Sequence, residues 1–185
     1  RPQRYLRADT VLLDDYGGAR TATEHLLAHG HRRIAVVSQS LDMHTMNERF
    51  RGYREAMADA GIEVDATLIR NDLKDAQDAR GVVSAMFEGD DPPTAIFCAN
   101  NRMSVGAIGA LSENRSRVAV VGFDDLELAD ALAVPLTVVC ADAAALGKAG
   151  AELLIKRMDG WSEPPQNVVL PTTLIERGSG EINPA

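Results

Sequence analysis

The strongest constraint on this chain is its rhythm. Short apolar, largely β-branched runs alternate with longer amphipathic stretches, and most of the latter end at a glycine. Val11-Leu13, Ile34-Ser38, Thr67-Arg70, Thr94-Ala99, Val118-Gly122 and Leu136-Val139 read as strands. Val168-Leu170 and Thr173-Ile175 follow around Pro171. Asp14 or Asp15 suits the cap of a first helix, which runs to about His29 and stops at Gly30. Thr45-x-x-Glu48 has the capping-box pattern and opens a helix with Phe50, Tyr53, Met57 and Ala60 on one stripe, closed by Gly61. Asp75 precedes a helix through Val82, Val83, Met86 and Phe87, and another runs from Asn101 to about Glu113. Strand and helix in steady alternation predict an α/β fold: a three-layer, doubly wound parallel sheet with helices on both faces. The wholly apolar strands fit a sheet buried on both sides.

Composition narrows the function. At 185 residues and 45% hydrophobic, the chain can bury a core and is not disordered. A net charge of −8, with no basic cluster longer than His31-Arg32-Arg33, argues against a duplex-binding surface. No apolar run approaches the ~20 residues that span a bilayer, and Arg1-Pro2-Gln3-Arg4-Tyr5 has no apolar export region. The expectation is a cytoplasmic protein with no membrane partner. Cys98 and Cys140 each lie in an apolar run and read as buried free thiols, although their spacing also permits a disulfide.

Ligands of open α/β sheets bind beyond the carboxyl ends of the strands. The run Ile34-Ser38 is followed by a polar loop and then by Thr45, Asn47 and Arg49. Thr94-Ala99 is followed by Asn100-Asn101, and Val118-Gly122 by Phe123-Asp124-Asp125. Arginine offers a rigid fork of donors, aspartate paired acceptors and asparagine both, which suits the vicinal hydroxyls of a sugar. A nucleobase or a small carboxylate would also fit such a set. Asn100 and Asp124 could equally do no more than cap the helices after them. His29, His31 and His44 complete no metal set, and no nucleotide-binding or nucleophile-elbow motif occurs. No enzyme, metal or cofactor is therefore expected.

Six segments, in order, resemble the lactose-repressor/galactose-repressor (LacI/GalR) family of bacterial transcription regulators. They are Asp15-Tyr16-Gly17-Gly18-Ala19 with Gly30-His31-Arg32-Arg33-Ile34; Arg49-Phe50-Arg51-Gly52-Tyr53; Pro93 to Asn101; Val121-Gly122-Phe123-Asp124-Asp125; Pro135 to Val139; and Leu174 to Ser179. The resemblance implies a two-lobed sensor of the periplasmic-binding-protein-like type. It implies effector contacts at Arg49, Asn100 and Asp124, with a sugar as ligand, a homodimer, and operator DNA bound only through an absent helix-turn-helix. A periplasmic solute-binding protein of a sugar transporter is the alternative. The chain departs from the family pattern at Asn101, where an aspartate is usual, and at Cys140-Ala141.

On this reading residues 1–15 are the end of an N-terminal lobe and a crossover, 16–139 the C-terminal lobe, 140–160 a hinge and a helix of the N-terminal lobe, and 161–185 a return and tail. The helix Asp142-Gly160, with Leu146, Gly150, Leu153, Leu154 and Met158 on one face, is then expected to stand apart from the C-terminal lobe.

Overall fold

The computed structural model describes residues 8–114 and 118–184. Residues 1–7, on which the export reading and nearly half of the first segment (1–15) rest, lie outside the described residues.

The elements follow in the order β1 (Thr10–Leu13), α1 (Asp15–Ala28), β2 (Ile34–Val37), α2 (His44–Asp59), β3 (Ile69–Arg70), α3 (Ala76–Met86), β4 (Ala95–Cys98), α4 (Asn101–Asn114), β5 (Ala119–Phe123), β6 (Thr137–Cys140), α5 (Ala143–Met158), β7 (Asn167–Leu170) and β8 (Thr173–Ile175). Six strands form one sheet in the order β3-β2-β4-β5-β6-β8, parallel except for β8, which runs antiparallel to β6. Its central strands β2, β4 and β5 are buried at every position. One face packs Ala19, Ala22 and Leu26 of α1 with Met46, Tyr53 and Met57 of α2. The other packs Ala79, Val83 and Met86 of α3 with Met103, Ala107 and Leu111 of α4. This is the expected three-layer α/β architecture.

The helices form where the sequence places caps. Asp14, not Asp15, caps α1, accepting from the Gly17 N–H, and Asp75 and Asp142 cap α3 and α5. The capping box at Thr45 does not form: the N-cap of α2 is Met43, two residues earlier, and it makes no side-chain cap bond. Thr67 and Leu68 belong to a 3-10 turn, so β3 is only two residues long. Asp65 accepts from the Thr67 N–H, and that local bond competes with the ladder. Both cysteines are free; Cys98 ends β4 and Cys140 ends β6, with β5 between them.

The α1–α2 pair needs a glycine. A Cβ at Gly52 would lie 2.3 Å from the Tyr16 carbonyl oxygen and 3.0 Å from the Arg20 nitrogen. Gly52 thus sets how closely α2 approaches α1, and with it where Arg49, one turn earlier, stands.

β1 and β7 form a separate parallel two-stranded sheet, in register from Thr10↔Asn167 to Leu13↔Leu170. α5 packs on β1, and none of its residues joins the buried core on either face of the large sheet. Within the 161–185 segment, β7 therefore sits with the small sheet and only β8 returns to the large one. Of the expected apolar stripe, Leu153 is buried and Leu146 half-buried, while Leu154 and Met158 are exposed. With Ala8, Val11, Gly150 and Pro165 these leucines line an open groove of about 740 Å³. Arg157 ties the unit together. Its Nε and Nη2 each donate to Asp9 at 2.7 Å, its Nη1 donates to the carbonyls of Trp161 and Glu163, and its guanidinium lies 4.3 Å over the Trp161 ring.

Two expectations follow from this packing. Gly52→Ala should destabilise the domain by about 1–3 kcal/mol, because a backbone carbonyl must move, as read from urea denaturation. The bonds from Arg157, joined by the Gln166 N–H, lower the Asp9 carboxyl from 3.8 to about 2. A carboxyl lowered by folding stabilises above its unfolded pKa, and that contribution is lost as pH falls from 3.8 through about 2. Hydrogen exchange in α5 should accelerate in that window beyond the exchange of α1.

Candidate functional site

Arg49 lies on the inner face of α2 with its side chain only 5% exposed, so its charge must be met by protein groups. Nε donates to Asp15 Oδ1 at 2.7 Å. Nη1 donates to the Ala99 carbonyl at 2.7 Å and to Asp124 Oδ2 at 3.0 Å. The guanidinium carbon stands 3.6 Å from the centroid of the Phe123 ring, a cation–π contact. Among the described residues Nη2 has no hydrogen-bond partner. The guanidinium is held on three sides and presents one edge.

Each partner is set by its backbone. Asp15 is the first residue of α1 and is buried; Asp14 takes the cap, so Asp15 turns inward. Burial pushes the Asp15 carboxyl up against the pull of Arg49, nearby Asp124 adds to the rise, and His44 opposes it. Asp124 follows β5 with φ +66°, a left-handed conformation that aspartate tolerates better than most residues. Its N–H donates to the Val139 carbonyl at 2.8 Å. The side chain is 38% exposed, so part of the carboxylate remains open beside Arg49.

The segment Val121-Gly122-Phe123-Asp124-Asp125 thus has a role at each position that touches the site. A Cβ at Gly122 would meet the Ser104 hydroxyl of α4 at 2.6 Å. Phe123 underlies Arg49, and Asp124 binds it. Asp125 accepts both terminal nitrogens of Arg177, at 2.7 and 2.8 Å. Beyond Arg177, Ser179 accepts from the Thr137 N–H and donates to the Val120 carbonyl, which seats the closing segment on β5 and β6.

Asn100, at the end of β4, does both things the sequence allowed. Its Oδ1 caps α4 by accepting from the Met103 N–H at 3.0 Å. Its Nδ2 donates to Gln39 Oε1 at 2.8 Å in the loop after β2. Asp124 caps no helix. Thr45 is half-buried one turn before Arg49, on the same helix face. Asn47 departs from the expected set. Two residues before Arg49, it faces the opposite way at 100° per residue and lines a separate outer groove with Leu41, Phe50 and Arg54. Arg49, Asn100 and Asp124 are therefore brought to one edge, with Thr45 alongside and Asn47 outside.

Asp15, Phe123 and Gln39 belong to this cluster and were not singled out from the sequence. The adjacent pair Asp14-Asp15 was the available signal: only one of two neighbours can cap, and the other must find a different partner.

With the geometry in place, comparison with known proteins is decisive. Residues 23–180 match the family model described as a periplasmic binding protein-like domain. The chain belongs to this family. It is 35% identical over 174 residues to the HTH-type transcriptional regulator CelR of Thermobifida fusca, covering 92% of this chain and 51% of that protein. It is 30% identical over 178 residues to the ribose operon repressor of Haemophilus influenzae, covering 94% and 54%. Among solved structures, the complex of CelR with cellobiose superposes with a TM-score of 0.88 at 34% identity, covering 97% of this chain and 57% of that one. A LacI-family regulatory protein from Chloroflexus aggregans gives 0.89 at 30% identity, covering 97% and 65%. This periplasmic-binding-protein-like domain thus has its relatives among LacI-family transcription regulators, and it spans about half the length of the curated relatives it matches. No helix among the described residues is long and apolar enough to cross a membrane.

Removing one partner of a buried ion pair leaves the other uncompensated. Arg49→Ala should therefore cost about 3 kcal/mol or more of folding stability. The double change Arg49→Leu with Asp15→Asn should cost less than the sum of its parts, a coupling that a denaturation cycle measures.

Proposed function

We propose that this domain senses a small polar effector, a sugar, for a DNA-binding transcription regulator. The observation that carries this reading is the rigid Arg49 fork, with one free edge beside the open carboxylate of Asp124, at the carboxyl ends of the sheet. A sugar hydroxyl donates to the carboxylate while another accepts from Nη2, so both groups are satisfied together. Asn100 borders them, and Thr45 reaches the same edge from α2. The bound sugar of CelR and the regulator names of the relatives support the choice of ligand class and favour a regulator over a transporter component.

The rest of the molecule is read in the same terms. The small sheet with α5 is part of a second lobe, and the effector lies between it and the large sheet. Operator DNA is contacted by a segment outside these residues, in the cytoplasm, and these 185 residues, with a net charge of −8, take no part in it. The intact regulator is a homodimer. Val83 and Met86 of α3 are spent in the core, whereas Val105 on α4, Leu128 and Val134 are exposed and suit an interface.

Calorimetry with cellobiose and a panel of other neutral mono- and disaccharides tests the site. Asp124→Ala should weaken binding of the responding sugar by about 2 kcal/mol, roughly 30-fold, because a charged acceptor is lost. Undiminished affinity in both Asp124→Ala and Arg49→Ala would remove the site. Sedimentation of the full-length regulator at micromolar concentration should show a dimer, and a monomer there would refute the pairing.

A further inference from the structure

We propose that Asp15 sets the charge class of the ligand: by committing the Arg49 guanidinium, it makes this edge a site for uncharged saccharides and excludes sugar acids and sugar phosphates. This rests on the sugar-sensing reading and narrows it. Arginine at a sheet edge ordinarily invites an anion, since its fork matches carboxylate and phosphate. Here the fork is already occupied. Asp15 takes Nε at 2.7 Å and Asp124 takes Nη1 at 3.0 Å, so one positive charge faces two negative ones.

The surrounding charges do not restore the balance. Asp125 is matched by Arg177, and Glu48 by Arg51 at 2.6 Å. The Ala99 carbonyl adds a further negative dipole toward Nη1. His44 shares the shallow hollow lined by Asp14, Asp15, Tyr16, Glu48 and Arg51, where carboxylates outnumber guanidinium groups. An anion approaching Nη2 therefore meets the open Asp124 carboxylate beside a guanidinium already bonded to two carboxylates. A neutral hydroxyl pair meets an acceptor and a donor side by side, and needs neither changed.

Asp15, with its side chain 6% exposed, bonds Nε of the guanidinium. It is a positioning residue that acts through Arg49. Asparagine there keeps the shape and an acceptor for Nε but removes one negative charge, leaving Arg49 and Asp124 as a neutral pair. The consequence is a change in selectivity and not merely a loss of affinity.

The test uses the 185-residue chain and ligand-observed NMR at neutral pH, with each neutral saccharide paired with its own acid: cellobiose with cellobionate, glucose with glucuronate. In the unaltered chain the neutral member should bind at least about tenfold more tightly, and in Asp15→Asn the ratio should shrink at least about fivefold, because juxtaposed like charges are costly. If the asparagine variant loses its cooperative unfolding transition, the neutral-to-acid ratio of the unaltered chain decides alone. An acid that binds the unaltered chain as tightly as its neutral partner overturns the assignment, as does an unchanged ratio in a folded Asp15 variant; either leaves the sugar-sensing reading intact. Binding of no saccharide of either kind overturns that reading, and the assignment with it.

Discussion

A guanidinium can be buried only if its charge is answered, and the strand ends of this domain are arranged around answering one. Arg49 brings together α1 through Asp15, β4 through the Ala99 carbonyl and β5 through Phe123 and Asp124. The cost of desolvating these charges is offset only when every bond is made, so the pieces are held to one geometry. The same geometry leaves Nη2 and part of the Asp124 carboxylate facing outward. Rigidity at the edge and readiness for a ligand share one cause.

The supporting structure serves that edge. Gly52 lets α2 lie close against α1, and Tyr53 beside it donates to the Ile34 carbonyl at 2.7 Å, locking α2 to β2. The closing segment is fixed as firmly. His31, fully buried, uses one ring nitrogen on the Thr94 hydroxyl and the other on the Ile182 carbonyl, and burial pulls its pKa down. A neutral imidazole donates from Nε2 to the Ile182 carbonyl and sets Nδ1 against the Thr94 hydroxyl. The two-stranded sheet with α5 hangs on different interactions, the Asp9–Arg157 pair and a groove of leucines, and stands outside the main core.

Much of this was legible in the residues alone. Alternation of wholly apolar strands with amphipathic helical segments specifies a parallel sheet covered on both faces, because apolar strands without a polar side must be buried twice. Asp75 and Asp142 are caps by the competition of their side chains for backbone N–H groups, a local matter that sequence records. Arg49, Asn100 and Asp124 were placed at one edge by topology, since parallel strands carry their carboxyl ends to the same side of the sheet. The separation of α5 from the large sheet followed from an apolar stripe with nowhere to go after β6.

What sequence could not decide depends on neighbours distant along the chain. Which of Asp14 and Asp15 caps and which pairs is settled by where Arg49 arrives, 34 positions later in the chain. Whether Asn100 caps or points outward had no single answer, because its two ends do different work once Gln39 lies opposite. Asn47 looked equivalent to Thr45 and Arg49 in a list of polar residues, and only the helix's 100° turn and its packing on α1 put it on the outside. The local bonds were written in short-range propensity; the charge balance of the site was not. That balance is a sum over groups from α1, α2 and the turn after β5, and only the folded chain brings those groups within ångströms of one another.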